Sequence, residues 1–318
     1  MDAHDVRIFC ALAISGPPEA LVPARRSGIR RIALGIGLDE KTVRVRLRRL
    51  EDEGFIKYYQ ASPDLSLLGM TAEATHRFEA VNVATKLEAL RFAEAQLGMV
   101  EALDFLGTTF VVTGAGTSPE ESTGLQKRIA HRFELDRIEQ GQRVLRQCPA
   151  RLLPVDWRII ERMRYDARAP QGDVAEALGL TPRMVRYRLR RIRASGGVTI
   201  RPVIDARRQN GLILYRLSVT AESPARQEVL AELQRRLGDS IWATRIALTG
   251  PILLDMFGVT LADPEESAVR ALEVKGVQAC SALVLKEIRE PPHGNWIDRR
   301  IADLAAGRTG ALPDPVAA

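Results

Sequence analysis

The feature that most constrains this 318-residue chain is that one stretch of it occurs twice. GLDEKTVRVRLRRLEDEGFI, beginning at Gly37, returns as GLTPRMVRYRLRRIRASGGV, beginning at Gly179, an offset of 142 residues. In that register Val43, Arg44, Arg46, Leu47, Arg48, Arg49 and Gly54 meet Val185, Arg186, Arg188, Leu189, Arg190, Arg191 and Gly196, and the match runs on to Gly69 and Gly211. Upstream, DVRIFCAL from Asp5 resembles DWRIIERM from Asp156 at an offset of 151, so the first copy holds nine extra residues, in the segment around PPEALVPARRSGIRR. The chain is longer than one ordinary domain of about 100 to 200 residues. The repeat says that its domains come in two sets.

Both copies show the same order of elements. Val6, Phe9 and Leu12, and then Trp157, Ile160 and Met163, recur at three-residue spacing and mark a first helix. Ile32, Ala33 and Ile36, or Val174, Ala175 and Leu178, mark a second, which stops at Gly37 or Gly179, a residue type that takes the left-handed conformation of a helix end without strain. Asp39 and Thr181 cap a third helix, and Pro182 stands at its first position, where a missing N–H costs nothing. Along it Val43, Leu47 and Leu50, or Val185, Leu189 and Ile192, fall at i, i+4 and i+7 and form one buried stripe. Gly54 or Gly196 closes it, and the β-prone run FIKYYQA or VTIRPVI follows as a wing-like hairpin. Three helices, a glycine turn between the second and third, and a wing make a winged helix-turn-helix.

After each wing the period changes. ILYRLSVT, a helix carrying Val229, Leu230, Leu233 and Leu237, the strands IWATRIAL and ILLDMFGVTL, a helix from Asp263 and Pro264, and CSALVLKEI read as βαββαβ, a ferredoxin-like unit. The first copy repeats it in EATHRFEAV, a helix with Leu87, Leu90 and Leu97, VEALDFL, TTFVVTG, a helix from Ser118-Pro119-Glu120, and RIEQGQRVLR. The fold class is therefore α+β, with two winged helix-turn-helix domains (1–69, with the insertion at about 17–31, and 154–211) alternating with two ferredoxin-like domains (70–153 and 212–290). A tail over 291–318 follows, in which WIDRRIADLA forms a helix before a disordered Gly/Pro/Ala-rich end. The sheet face left over in each ferredoxin-like unit is covered most simply by the other copy.

Charge locates the candidate site. The net charge is +6, from 46 Lys and Arg against 40 Asp and Glu. Asp39 to Leu50 has five bases and two acids, and Thr181 to Arg193 has six arginines and no acid, so the rest of the chain stands at −3. At 100° per residue from the buried stripe, Arg183, Arg186, Tyr187, Arg190 and Arg191 fall on the outer face of the second copy's third helix, and Lys41, Arg44, Val45, Arg48 and Arg49 on the first's. An arginine comb suits the major groove of double-stranded DNA, where Arg bridges guanine O6 and N7 or holds phosphate, and Val45 or Tyr187 adds apolar contact. A solvated helix face normally mixes signs, which the second copy does not. Arg46 and Arg188 lie beside the buried stripe, so anchoring is as apt a role for them as base reading.

The pattern LGL(T)xxxVRxRLRRIxxxG, a wing and a βαββαβ unit resemble the Lrp/AsnC family of feast-or-famine transcription regulators, here as two subunits fused head to tail over roughly residues 1–290. The resemblance implies a sequence-specific DNA-binding regulator and further oligomerisation through the ferredoxin-like domains. It also implies a small-molecule effector near the turn between their second and third strands, here Leu106-Gly107-Thr108 and Thr249-Gly250-Pro251. Members that bind amino acids often carry Gly-x-x-Asp there; the fourth positions in this chain are Phe110 and Leu253. Because the two reading helices differ, the preferred site is expected to be asymmetric.

Other classes leave weaker marks. No GxSxG, HExxH, Walker or dinucleotide GxGxxG motif stands in its proper context, and His4, His76, His131 and His293 have no metal-ligand spacing. The expectation is a chain that is not an enzyme and takes no cofactor or metal. Siroheme decarboxylases are nevertheless similar in being built from paired halves of this kind. Such an enzyme needs histidines and bases converging on a tetrapyrrole, which His76 and His131 would supply. Cys10, Cys148 and Cys280 are far apart with no CxxC pair, and no run approaches 18 apolar residues, so reduced thiols and a cytoplasmic protein without a membrane span are expected.

Overall fold

The computed structural model describes residues 1–13, 26–208, 211–246 and 250–308. In chain order the first copy runs α1 (Ala3–Ala13), α2 (Arg26–Ile36), α3 (Glu40–Asp52), β1 (Ile56–Pro63), β2 (Ala72–Glu79), α4 (Val83–Glu94), β3 (Met99–Phe105), β4 (Thr109–Gly116), the single turn α5 (Pro119–Ser122), α6 (Gly124–Phe133) and β5 (Asp136–Val144). The second runs α7 (Pro154–Arg162), α8 (Gln171–Leu178), α9 (Pro182–Ala194), β6 (Val198–Ile204), β7 (Ile213–Ala221), α10 (Arg226–Leu237), β8 (Ile241–Ile246), β9 (Ile252–Gly258), α11 (Asp263–Leu272), β10 (Val277–Arg289) and the tail helix α12 (Trp296–Ala305). Part of the expected insertion is the start of α2; residues 17–25 of it, and residues 309–318 of the tail, lie outside the described residues. The elements divide into two compact units, one of residues 1–10, 72–144 and 205–291, the other of 11–71, 145–204 and 292 onward.

The first unit is the sheet unit. Its strands run β5-β2-β4-β3-β10-β7-β9-β8. Each βαββαβ half contributes four neighbours in the order fourth, first, third, second, and the halves meet where β3 pairs with β10. β10 serves both: from Val277 to Val284 it pairs with β7, and from Leu285 to Arg289 with β3. Successive strand residues point to opposite faces. Phe78, Phe110 and Val112 face α4 and α6 in one core, and Leu217, Leu254 and Met256 face α10 and α11 in the other. The first ten residues group with this unit, and Phe9 of α1 meets Trp242 of β8 with ring centroids 5.6 Å apart. One core feature escapes the apolar pattern. Lys86 of α4 is buried, with its ammonium 2.7 Å from Asp104 and donating to the Phe105 carbonyl at 2.7 Å.

The second unit holds α2, α3, α7, α8 and α9. The expected stripes are buried: Val43, Leu47 and Leu50 on α3, and Val185, Leu189 and Ile192 on α9. Both caps form, Asp39 accepting the Thr42 N–H and Thr181 the Met184 N–H, and Gly179 takes φ 65°. The wing strands find a partner that periodicity does not show. β1 and β6 pair with each other, antiparallel from Ile56↔Ile204 to Pro63↔Val198, so the two copies share one ribbon in place of two separate hairpins. α12 lies against α7 with Trp296, Ile297 and Ile301 buried, and Asp298 takes Arg164 at 3.0 Å and the Tyr165 hydroxyl at 2.5 Å.

This arrangement separates stability from surface on α9. Leu189→Ala should lower unfolding free energy by about 2 to 5 kcal/mol through reduced burial and a cavity. Arg186→Ala, on the outer face, should stay within about 0.5 kcal/mol. Equal shifts in urea midpoint for the two variants would mean that the helix is turned the other way.

Candidate functional site

The outer faces of α3 and α9 present every residue expected there. Lys41, Arg44, Val45, Arg48, Arg49, Arg183, Arg186, Tyr187, Arg190 and Arg191 are all exposed. Their electrostatic surroundings differ. On α9, Arg188 and Arg191 are pinned to Asp156 of α7 at 2.9 and 2.8 Å. Asp156 is fully buried and also accepts the Leu153 N–H at 2.8 Å, closing the first turn of α7. Arg191 therefore carries a structural duty besides its place on the outer face. Arg186 donates to the neutral Gln171 at 3.2 Å, and Arg183 and Arg190 make no ion pair among the described residues, so three guanidiniums keep their full charge on one face. On α3, Arg44 is held by Glu40 at 3.1 Å, one turn back. The second head thus offers unopposed positive charge and the first a partly neutralised face. Sequence reading missed Asp156; the available signal was an acid at the third position of a helix opened by Pro154.

The sheet unit holds a second feature, a cavity of about 380 Å³ between the inner faces of its two halves. The residues that alternate with the core positions line it, among them Arg77, Arg143, Arg216 and Arg245. Each arginine meets a carboxylate: Arg77 with Glu139 at 3.0 Å, Arg143 with Glu73 at 2.5 Å, Arg216 with Asp255 at 2.6 Å, and Arg245 with Glu101. Of the expected effector turns, Pro251 lines this cavity and Gly250 lies at its edge, in a left-handed conformation (φ 93°) where a Cβ would strike the Gln140 carbonyl. Thr249 lies outside the described residues. Leu106, Gly107 and Thr108 stand away from the cavity, where Leu106 donates its N–H to the Val284 carbonyl at 2.9 Å and Thr108 its hydroxyl to Glu79.

Among the described residues no histidine lines the cavity. His76 points to the opposite face of β2, fully buried beside Phe78, with neither ring nitrogen bonded. Burial, aided by Arg137 and Lys127, pulls its pKa down to about 4. His131 is exposed on α6. The structure does not bring the two together at one site.

With helices, glycine turn and caps in place, α7, α8 and α9 match the family described as the AsnC-type helix-turn-helix domain over residues 154–193. This segment is an AsnC-type helix-turn-helix. Such a domain implies DNA binding and bears out the Lrp/AsnC resemblance. Among solved structures, the siroheme decarboxylase NirDL in co-complex with an iron-uroporphyrin III analogue is similar at 14% identity and TM-score 0.54, covering 96% of this chain and 99% of that one. AldR of Mtb (27% identity, TM-score 0.35) covers 46% of this chain and 97% of its own, and E. coli AsnC (14%, TM-score 0.37) covers 42% and 92%. No curated protein matches the sequence. The paired α+β fold is therefore one that an enzyme uses along nearly its whole length, and this overturns the expectation that the chain is not an enzyme. No helix among the described residues is long and apolar enough to cross a membrane.

Two outcomes follow from these surroundings. Asp156→Ala removes a helix cap and two charge-assisted bonds and should cost about 2 to 4 kcal/mol, whereas Glu40→Ala, in an exposed pair, should cost less than about 1 kcal/mol; urea titrations of both compare them directly. His76 is held below its ordinary value of 6.5, so the unfolded chain binds the proton first. Its contribution is full above pH 6.5 and is lost as pH falls toward about 4. The stability difference between the wild type and His76→Phe should therefore change between pH 7.5 and 5; a constant difference would place a hydrogen-bonded or hydrated imidazole there.

Proposed function

We propose that this protein is a sequence-specific, DNA-binding transcriptional regulator that reads an asymmetric duplex site with two non-identical heads. The observation that carries the proposal is the outer face of α9, where Arg183, Arg186 and Arg190 stand exposed and, among the described residues, unopposed by any carboxylate within an AsnC-type domain. Arginines on an exposed helix face grip phosphates and read guanine edges. Tyr187 and Val45 supply apolar contact to thymine methyls or sugars. Lys41, Arg44, Arg48 and Arg49 on α3 set register and selectivity, and Arg191 contributes to phosphate through the charge left beside Asp156. The ribbon of β1 and β6 ties the two heads together, which supports a fixed spacing between their half-sites. A small-molecule effector at the sheet unit, near Gly250 and Pro251, and further association of chains through that unit belong to the same proposal.

The expected outcome is a shift in salt dependence. Replacing Arg183, Arg186 and Arg190 together by Ala should weaken duplex binding and shallow the log K against log salt slope by about 0.9 for each phosphate no longer held. The corresponding Lys41, Arg44 and Arg48 triple variant should do less damage. Selection from a random duplex pool should return asymmetric sites. Perfect palindromes, with equal damage from both triple variants, would show equivalent heads, and an unchanged slope would remove α9 from the interface.

A second reading has its own support in the likeness over 96% of the chain to a siroheme decarboxylase. In that reading the arginines of the cavity would hold the carboxylates of a tetrapyrrole, with Glu73 and Glu139 as the acid–base groups at hand, since His76 and His131 are elsewhere. Absorbance titration with iron-uroporphyrin tests it. A saturable spectral change abolished in Arg143→Ala would favour the enzyme.

A further inference from the structure

We propose that the inner cavity of the sheet unit binds a small monocarboxylate with an apolar body. This rests on the reading that the unit holds an effector, and gives that effector a place and a chemical class. Arg216 anchors it. The residue is 2% exposed, its Nε and Nη2 are taken by the two oxygens of Asp255 at 2.6 and 3.0 Å, and its Nη1 is buried with no partner among the described residues. A buried donor without an acceptor costs free energy, more so on a charged group, and a ligand oxygen recovers it. Nε of Arg77, on the wall contributed by the other half, is in the same condition. Two unmet cationic donors in one cavity call for the paired oxygens of a carboxylate.

The body of the ligand follows from the neighbours. In register, Val111 stands beside Arg77, Leu283 beside Arg216 and Leu253 beside Ser218, so apolar surface flanks the donors. Glu73 and Glu139 on the wall oppose a second or third negative charge on the ligand, which leaves a single carboxylate. The volume, about 380 Å³, is near the lower end of small-molecule pockets, roughly 300 to 1,000 Å³. The anchor is particular to the second half. At the corresponding cross-strand place in the first half stand Thr75 and Thr113, their hydroxyls 3.1 Å apart.

Calorimetric titration of the full chain with benzoate and isovalerate, against benzamide and isovaleramide of matching shape, tests the site. The acids should bind at least about tenfold more tightly than the amides, because only they complete a charge-assisted pair. Leu253→Trp narrows the cavity while keeping every ion pair, and should abolish benzoate binding with the melting temperature retained. Arg216→Gln should abolish it too, but it strands Asp255 and is read only if the variant is folded by circular dichroism. Equal affinity for acid and amide, no heat from any of the four, or unchanged benzoate binding in folded Leu253→Trp would overturn the proposal. Duplex binding is measured on the same preparations. Benzoate binding by a protein that ignores duplex supports the cavity site and sinks the regulator reading alone.

Discussion

An unpaired strand edge is a row of backbone donors and acceptors that must find partners, and the whole architecture answers to that requirement. A single βαββαβ half ends in open edges, and a lone wing strand has two. Duplication supplies the partners within one chain. In the sheet unit β10 runs on past the end of β7 and takes up β3 of the other half. In the other unit β1 and β6 satisfy one another. Both solutions use the same repeat, and neither is open to a single copy acting alone.

The period-two alternation of strands explains the chemistry inside the sheet unit. Each half spends its apolar face on its own helices, which leaves the polar face to meet the other half. The contact between halves is accordingly made of bonds such as Ser218 to Glu139 at 2.8 Å, Arg77 to Ser281 at 3.0 Å, and Arg245 to Glu101. Polar side chains pack less completely than apolar ones around fixed ion-pair geometry, and an enclosed space remains between them. The likeness to an enzyme of paired halves and the regulator reading both draw on this one space, which is why fold alone does not choose between them.

Much of this was legible in the residues. The stripes, caps and glycine turns of α3 and α9 follow from 3.6-residue periodicity and from what Asp39, Thr181, Gly37 and Gly179 do at helix ends. The βαββαβ order follows from the switch of period. What stayed hidden depends on partners distant in sequence. Alternation tells which face a strand buries but not which strand lies beside it, so the shared ribbon could not be read from FIKYYQA or VTIRPVI. Lys86 and Asp104 look like surface charges until a helix and a strand bring them to 2.7 Å in the core. Arg216 in ILYRLSVT and Asp255 in ILLDMFGVTL each broke an apolar run, a signal whose meaning lay in their being opposite one another across β7 and β9. On the heads, the count of arginines was plain, but their division into pinned and unopposed charges required Asp156.

The ribbon also sets an order of events at the ribosome. Ile56 pairs with Ile204, so β1 leaves the exit tunnel with no strand to join until 148 further residues have been made. At about 5 to 20 residues per second that interval is roughly 7 to 30 s. Over that time YYQA and its flanks remain an open edge on a nascent chain, in reach of neighbouring chains on the same message. Two copies in one polypeptide guarantee the right partner eventually, but they make the first copy wait for the second.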